Sequence, residues 1–332
     1  MKLKNSITDV PRIEVGHAQN FEAITGCTVV ICRRGATAGV DVRGGAPGTR
    51  ETDLLNPINL VNKVHAVMLA GGSAYGLDAA SGVMRYLEEH KIGFKTGVAR
   101  VPIVPAAILY DLSVGRSDIR PDAEMGYQAC MAASAKGVIE GNAGVGTGAS
   151  VGKILGQKQA MKSGVGSASL STGKGVIVGA LAAVNAFGDV VDPSSGAIVA
   201  GTRSTKVGPI KLGARGEFAD TMQLMKSFLG RSVLKIATRA NTVIGVVAVN
   251  ASLNKSEMTK VAQMAHDGIA RTVRPAHTML DGDSIFALAT GGARADVSTI
   301  GAFAAEALAL AILRAVRMSA SLGGLPGLHA AD

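Results

Sequence analysis

A chain of 332 residues that is 47% hydrophobic and only 18% charged has the material for an extensive core, which excludes a disordered or fibrous protein. Its formal charge of +9 is scattered, and aromatics at 3% give none of the interleaving that stacks bases, so no nucleic acid is expected as a partner. With 43 glycines and no Trp, the core must be built from Ala, Val, Ile, Leu and Met, with backbones in close approach.

In chain order, the N-terminal stretch MKLKNSITDVPRIEVGHAQN lacks the continuous apolar region of a secretory signal. The later apolar segments read as broken by Gly, Pro or charge well short of the ~20 residues that span a bilayer. The expectation is a soluble cytosolic protein with no membrane partner. Residues 27–32 (CTVVIC) and 65–70 (HAVMLA) read as strands without polar alternation, which predicts that both faces are covered. Cys27, Cys32 and Cys130 form no CxxC pair, and the six histidines form no HxxxH or HxH, so neither disulfides nor a metal or other cofactor is expected. Tyr75 is a single aromatic among small residues in LAGGSAYGLDAASGV; its phenol either packs or presents a hydroxyl to a ligand. Helical patterns follow at 76–90 and 122–136.

The Gly-rich stretch GNAGVGTGASVGKI, 141–154, suggests a phosphate loop at first sight. The spacing ending at Gly152-Lys153 would need Gly at Thr147 and Ser or Thr at Ile154, and no acidic ribose partner follows, so nucleotide binding is not expected. What survives is a closely approaching backbone, including Gly144 and Gly146, that ends on Lys153. Residues 174–184 read as a strand with Asn185 directly after it, either a turn residue or an oxyanion donor. From 189 to 241 the chain is irregular, polar and Gly/Pro-rich apart from a short helical pattern near 218–229, as an exposed connection before a processing site would be.

Then comes Asn241-Thr242, immediately before a buried-strand pattern at 242–249. Thr242 is either an ordinary β-branched strand opener or a hydroxyl placed to be exposed by cleavage. The helix pattern at 255–273 has Ser256 as its expected N-cap, with Met258, Val261, Met264 or Ala265, and Ile269 on one core face. Asp281-Gly-Asp283 precedes a strand at 284–289; if both carboxylates line one site, their repulsion raises the pKa of one. A last helix is expected over 297–319. Strands and small-residue helices along the whole length predict an α/β, or α+β layered, fold.

The motifs GGSAYGLDA, GASVGK, VNAFGDV, ANTVIGVVAVN and DGDSIFALATG, in this order over nearly the whole chain, resemble the L-aminopeptidase/D-esterase family of self-processing hydrolases. Within it the chain is similar to the threonine branch, which includes enzymes cleaving 6-aminohexanoate (nylon) oligomers. The resemblance implies an αββα four-layer sandwich similar to N-terminal-nucleophile hydrolases. It also implies one domain cut into a large chain, 1–241, and a small chain, 242–332, and a homotetramer of processed protomers. It makes Thr242 the nucleophile freed by cleavage after Asn241, surrounds it with Lys153, Asn185, Asp281 and Asp283, and turns Tyr75 toward substrate.

The chemistry fits that assignment. A threonine at a new N-terminus carries its own base, an α-amine of pKa near 7.7–8.0. Substrate walls read as Tyr75 and Gly-rich backbone at 141–152, including Gly144 and Gly146, with no Arg cluster to clamp a carboxylate; such a slot favours methylene chains. The alternative substrate class is short peptides and peptide amides, cut by an aminopeptidase or esterase.

Overall fold

The computed structural model describes residues 3–207, 210–212, 218–226 and 241–330. Its frame is a nine-stranded sheet that includes β1 (Glu14–Asn20), β2 (Thr25–Val42), β3 (Lys63–Ala70), β4 (Ala106–Ile108), β5 (Val165–Gly173), β6 (Val176–Asn185), β7 (Thr242–Ala251) and β8 (Ser284–Ala293). The order runs β5-β6-β7-β8-β2-β3-β4, closing on the two-residue strand Thr49–Arg50, with β1 paired to β2. Strands β7 and β8 are parallel, joined through helix α3 (Lys255–Thr272).

The 18-residue β2 belongs to both halves of this sheet. On one side its first part pairs with β1 and its second part with β8, while on the other β3 pairs with it on both sides of an irregularity between Ile31 and Ala36. The sheet therefore folds over on itself, and alternate side chains of each strand enter different cores. In β7, Val243, Val247, Val249 and Ala251 face the core under α3 and α4 (Val297–Arg317), whereas Ile244, Val246 and Ala248 face a central core. In β3, Val67 and Leu69 enter the same central core, while Ala66, Met68 and Ala70 pack on α1 (Ala79–Glu89) and α2 (Ala123–Met131). Helices, sheet, sheet and helices form four layers around three cores, and both sheet faces are covered. That is why these strands lack polar alternation.

The expected strands at 27–32, 65–70, 174–184, 242–249 and 284–289 are all present, and most extend further than their apolar runs. Helix α2 ends at Met131, five residues before its predicted end, and α1 is preceded by a 3₁₀ turn, Ser73–Asp78. Helix α3 starts at Lys255, as its pattern predicts, and ends one residue early at Thr272. Its cap is Asn254, whose side chain accepts from the Glu257 N–H in a reciprocal capping box, so Ser256 lies inside the helix. Its core face uses Met258, Val261, Ala265 and Ile269, all fully buried. Cys27, Cys32 and Cys130 are buried free thiols.

Two other expectations need correction. Helix α4, at 21 residues, is long and apolar enough to cross a bilayer, contrary to the reading that every apolar segment is broken short; here it is a core helix, mostly buried. The irregular region also holds short strands, among them Asp189–Val191 and Ile198–Ala200, and a helix at Thr221–Lys226. The remainder of the helical pattern near 218–229 lies outside the described residues.

Candidate active site

The end of β6 and the start of β7 are antiparallel neighbours, and their register sets Asn185 opposite Thr242. Both are buried, as is Asn241, which is 4% exposed. The junction itself is thus enclosed, not displayed on an exposed connection, and an external protease has no access to it in this fold.

The Asn241 carbonyl receives two donors. The Gly282 N–H donates to it at 2.9 Å, and the Thr242 hydroxyl donates to it from the next residue. Residue 282 has to be glycine here, because a Cβ would stand 2.9 Å from Thr242 Oγ1 and 2.8 Å from the Ala46 carbonyl oxygen. The segment around Gly282 is clamped from outside by the turn after β2. Arg43 and Gly44 donate to the Asp283 carbonyl at 3.0 and 3.2 Å, and Ala46 donates to the Asp281 carbonyl at 2.8 Å.

The two carboxylates of Asp281-Gly-Asp283 do different things. Asp283 Oδ1 accepts the Val243 N–H at 2.7 Å, immediately behind Thr242. Its other oxygen is held by the His277 N–H at 3.1 Å and by His277 Nδ1 at 2.8 Å. Asp281 Oδ2 accepts the main-chain N–H and the hydroxyl of Thr278, at 2.8 and 2.6 Å. Burial first, and then the charge of Asp283, push the Asp281 carboxyl above the usual carboxylate range.

Lys153 reaches across to Asn185, donating to its main-chain oxygen at 2.9 Å and to Oδ1 at 2.7 Å. Asn185 Oδ1 also accepts the Ser150 N–H at 3.1 Å, and its amide nitrogen donates to the Tyr110 carbonyl at 2.8 Å. Lys153 is half-buried. Burial pulls its pKa down to about 7 against the opposing pull of Asp281 and Asp111. Asp111, itself pushed up to about 6 by burial, is fixed by the Thr25 hydroxyl and the Gly72 N–H, both at 2.7 Å.

The structure therefore gathers Thr242, Asn241, Asn185, Lys153, Asp281 and Asp283 at one end of β6, β7 and β8. Gly144 and Gly146 lie apart from this group. They are buried against Thr28, His17 and Val165, so their contacts are with the strands beneath. Tyr75 is 62% exposed on its 3₁₀ turn, with the Arg120 guanidinium 3.9 Å above its ring, and does not serve as core packing.

Gly282, His277, Thr278 and the 43–46 turn escaped the sequence reading. They act through main-chain atoms or through a partner six residues away, and the Gly44-Gly45 pair beside a strand end was the one available signal.

With this geometry described, the comparisons with known proteins fall into place. The description of peptidase family S58 matches residues 5–330. The chain belongs to that family. An uncharacterized aminopeptidase of Mycobacterium tuberculosis is 45% identical over 97% of this chain and 96% of its own length. A 6-aminohexanoate-oligomer endohydrolase of Kocuria sp. is 31% identical over 93% of this chain and 85% of its own. Among solved structures, the L-aminopeptidase D-Ala-esterase/amidase of Ochrobactrum anthropi superposes with a TM-score of 0.70 at 18% identity, over 97% of this chain and 88% of that one. That structure is described as a variant of the Ntn hydrolase fold, so this S58 chain shares a layered hydrolase architecture of that kind.

Proposed function

We propose that this S58 hydrolase cuts its own chain between Asn241 and Thr242 and then uses Thr242 as an N-terminal nucleophile on amides. The observation that carries this reading is the Asn241 carbonyl, bonded by the Gly282 N–H while the Thr242 hydroxyl lies against it. A carbonyl polarised in this way beside a β-hydroxyl is poised for acyl transfer through a five-membered ring. The Thr242 Oγ1 to Asn241 carbon bond forms, the C–N bond breaks, and the hydroxyl proton ends on the released amine. Water then hydrolyses the ester, leaving a carboxylate on Asn241 and restoring the hydroxyl.

In the processed enzyme the α-amine of Thr242 is the base for its own hydroxyl. The substrate carbonyl takes the place of Asn241, so the Gly282 N–H is a donor for its developing oxyanion, and the amide of Asn185, opposite Thr242, is proposed as a second. Lys153, on Asn185 and influenced by Asp281, lowers the proton affinity of the new amine and orients the hydroxyl. Asp283 fixes the peptide that follows it.

For substrate we propose linear amides with an extended, largely apolar spacer, 6-aminohexanoate oligomers included. This reading is supported by the 31% identity to the Kocuria endohydrolase. The second reading, an aminopeptidase or esterase acting on short peptides and peptide amides, is favoured by the closer 45% identity to the mycobacterial aminopeptidase. Comparing kcat/KM on an aminohexanoate oligomer and on a panel of peptide amides decides between them; no oligomer cleavage at all leaves the second. Exposed apolar side chains such as Ile58 and Leu60, 88% and 82% accessible, support the further proposal of a homotetramer, which sedimentation velocity tests.

The test of the nucleophile is direct. Mass analysis of purified protein is expected to give fragments ending at Asn241 and starting at Thr242, and Thr242→Ala is expected to remain whole and inactive. A Thr242→Ala protein that still splits there would exclude the hydroxyl from the cut.

A further inference from the structure

Behind the nucleophile lies a pair of imidazoles, His266 buried and His277 half-buried, that the chemistry above does not use. His277 Nδ1 faces Asp283 Oδ2, an oxygen that can only accept when ionised, so Nδ1 carries the proton and donates. The backbone of His277 is held at φ 56°, in the left-handed region that costs a side-chain-bearing residue energy. The segment spends that strain to aim both its main-chain N–H and its ring at one carboxylate oxygen.

The ring is then backed by His266 of α3, whose centroid is 4.8 Å away at 71°. His266 is in turn tied through Nε2 to the Asp41 carbonyl at 3.0 Å, and Asp41 is paired with Arg43 at 2.6 Å. Nδ1 of His266 and Nε2 of His277 are buried without a partner among the described residues. Burial holds His266 down to about 4, so it backs the pair as a neutral ring at ordinary pH.

We infer that His277 is a positioning residue for Thr242: its ring fixes the Asp283 carboxylate, which holds the Val243 N–H and so sets the orientation of the nucleophile. The chain of contacts is short and single-file. One carboxylate oxygen is committed to the residue after the nucleophile and the other to the ring and main-chain N–H of His277, so loss of the ring leaves that oxygen one bond in place of two and loosens the hold of Asp283 on Val243. The groups facing this unit are Asp283 and Asp281 from the segment before β8, His266 from α3, Asp41 and Arg43 from the end of β2, and Lys153 acting on Asp281.

This inference rests on Thr242 being the nucleophile, and the experiment separates the two. His277→Asn keeps an N–H near the position of Nδ1, while His277→Gln and His277→Leu do not. The rate of self-cleavage, and kcat on a peptide amide, are expected to fall about 10- to 100-fold in the Gln and Leu variants with KM little changed. The Asn variant is expected to recover most of the rate, which a merely structural loss of the ring would not allow.

If His277→Leu fails to fold, the Asn and Gln pair carries the comparison alone. Equal rates in Asn, Gln and wild type overturn the inference, as does equal impairment of Asn and Gln. In either case Thr242→Ala, read in parallel, reports independently on the nucleophile.

Discussion

In the proposed reading one hydroxyl acts first on its own chain and then on a substrate, which needs surroundings that serve both reactions, and Lys153 is well placed to do so. Its amine is bonded to Asn185, directly across from Thr242. Replacing it with Met is expected to lower kcat by orders of magnitude without unfolding the protein. A lysine drawn down to about 7 loses its charge as pH rises through that value, so wild-type kcat is expected to decline on the alkaline side of it. Stopped-time assays across pH, with thermal melts as control, check both points.

Lys162 is the contrasting case. Its ammonium sits wholly inside the protein on the carbonyls of Gly146, Ala149 and Ser163, away from the nucleophile. Lys162→Met removes a donor shared by three buried carbonyls, of which Gly146 and Ala149 keep the N–H groups of Ala149 and Ser163, and is expected to cost about 1–3 kcal/mol in denaturant titration. Burial lowers its pKa from 10.5 to about 7. Between those values the unfolded chain holds a proton that the folded one does not, so this group makes stability rise with pH across that window, and the variant should lose that slope.

At the level of helices and strands, what could be read from sequence follows from what each element touches. Strands β3, β6, β7 and β8 were legible because both faces are buried, which leaves an uninterrupted apolar run. Strand β5 was not, since its inward positions include Ser167 and Ser169, whose hydroxyls are satisfied by the Ala180 carbonyl and by Asp9. Register was also beyond the sequence: nothing in VNAFGDV or ANTVIG says that Asn185 lies opposite Thr242. The cap of α3 is a different case, because the sequence does select it: Asn254 has Glu257 three residues on, the spacing of a capping box, whereas Ser256 has Thr259. Asn254→Ala is expected to lower stability by about 1 kcal/mol, and Ser256→Ala by much less, in paired chemical unfolding curves.

For the molecule as a whole, the division proposed at Asn241 runs through the middle of the sheet. Strand β7 would begin the small chain yet stay between β6 of the large chain and β8 of its own, while β8 pairs with β2 of the large chain. Helices α3 and α4 would belong to the small chain and still cover a core lined by β5 and β6. The cut pieces are therefore expected to co-elute in native size-exclusion chromatography and to separate only in denaturant. Separation under native conditions would show that the layers are less continuous than this sheet order implies.

The donor that polarises the Asn241 carbonyl comes from Gly282, forty-one positions later in the chain, and it reaches the carbonyl only when the segment before β8 is docked beside β7. A ribosome has therefore long passed residue 242 before the cut becomes chemically feasible, and a nascent chain stalled or misfolded before that point keeps its threonine sealed in an ordinary peptide bond. Maturation in such a scheme doubles as an inspection: only copies that have assembled the central strands gain a reactive terminus, and faulty ones remain inert precursors for the cell to clear.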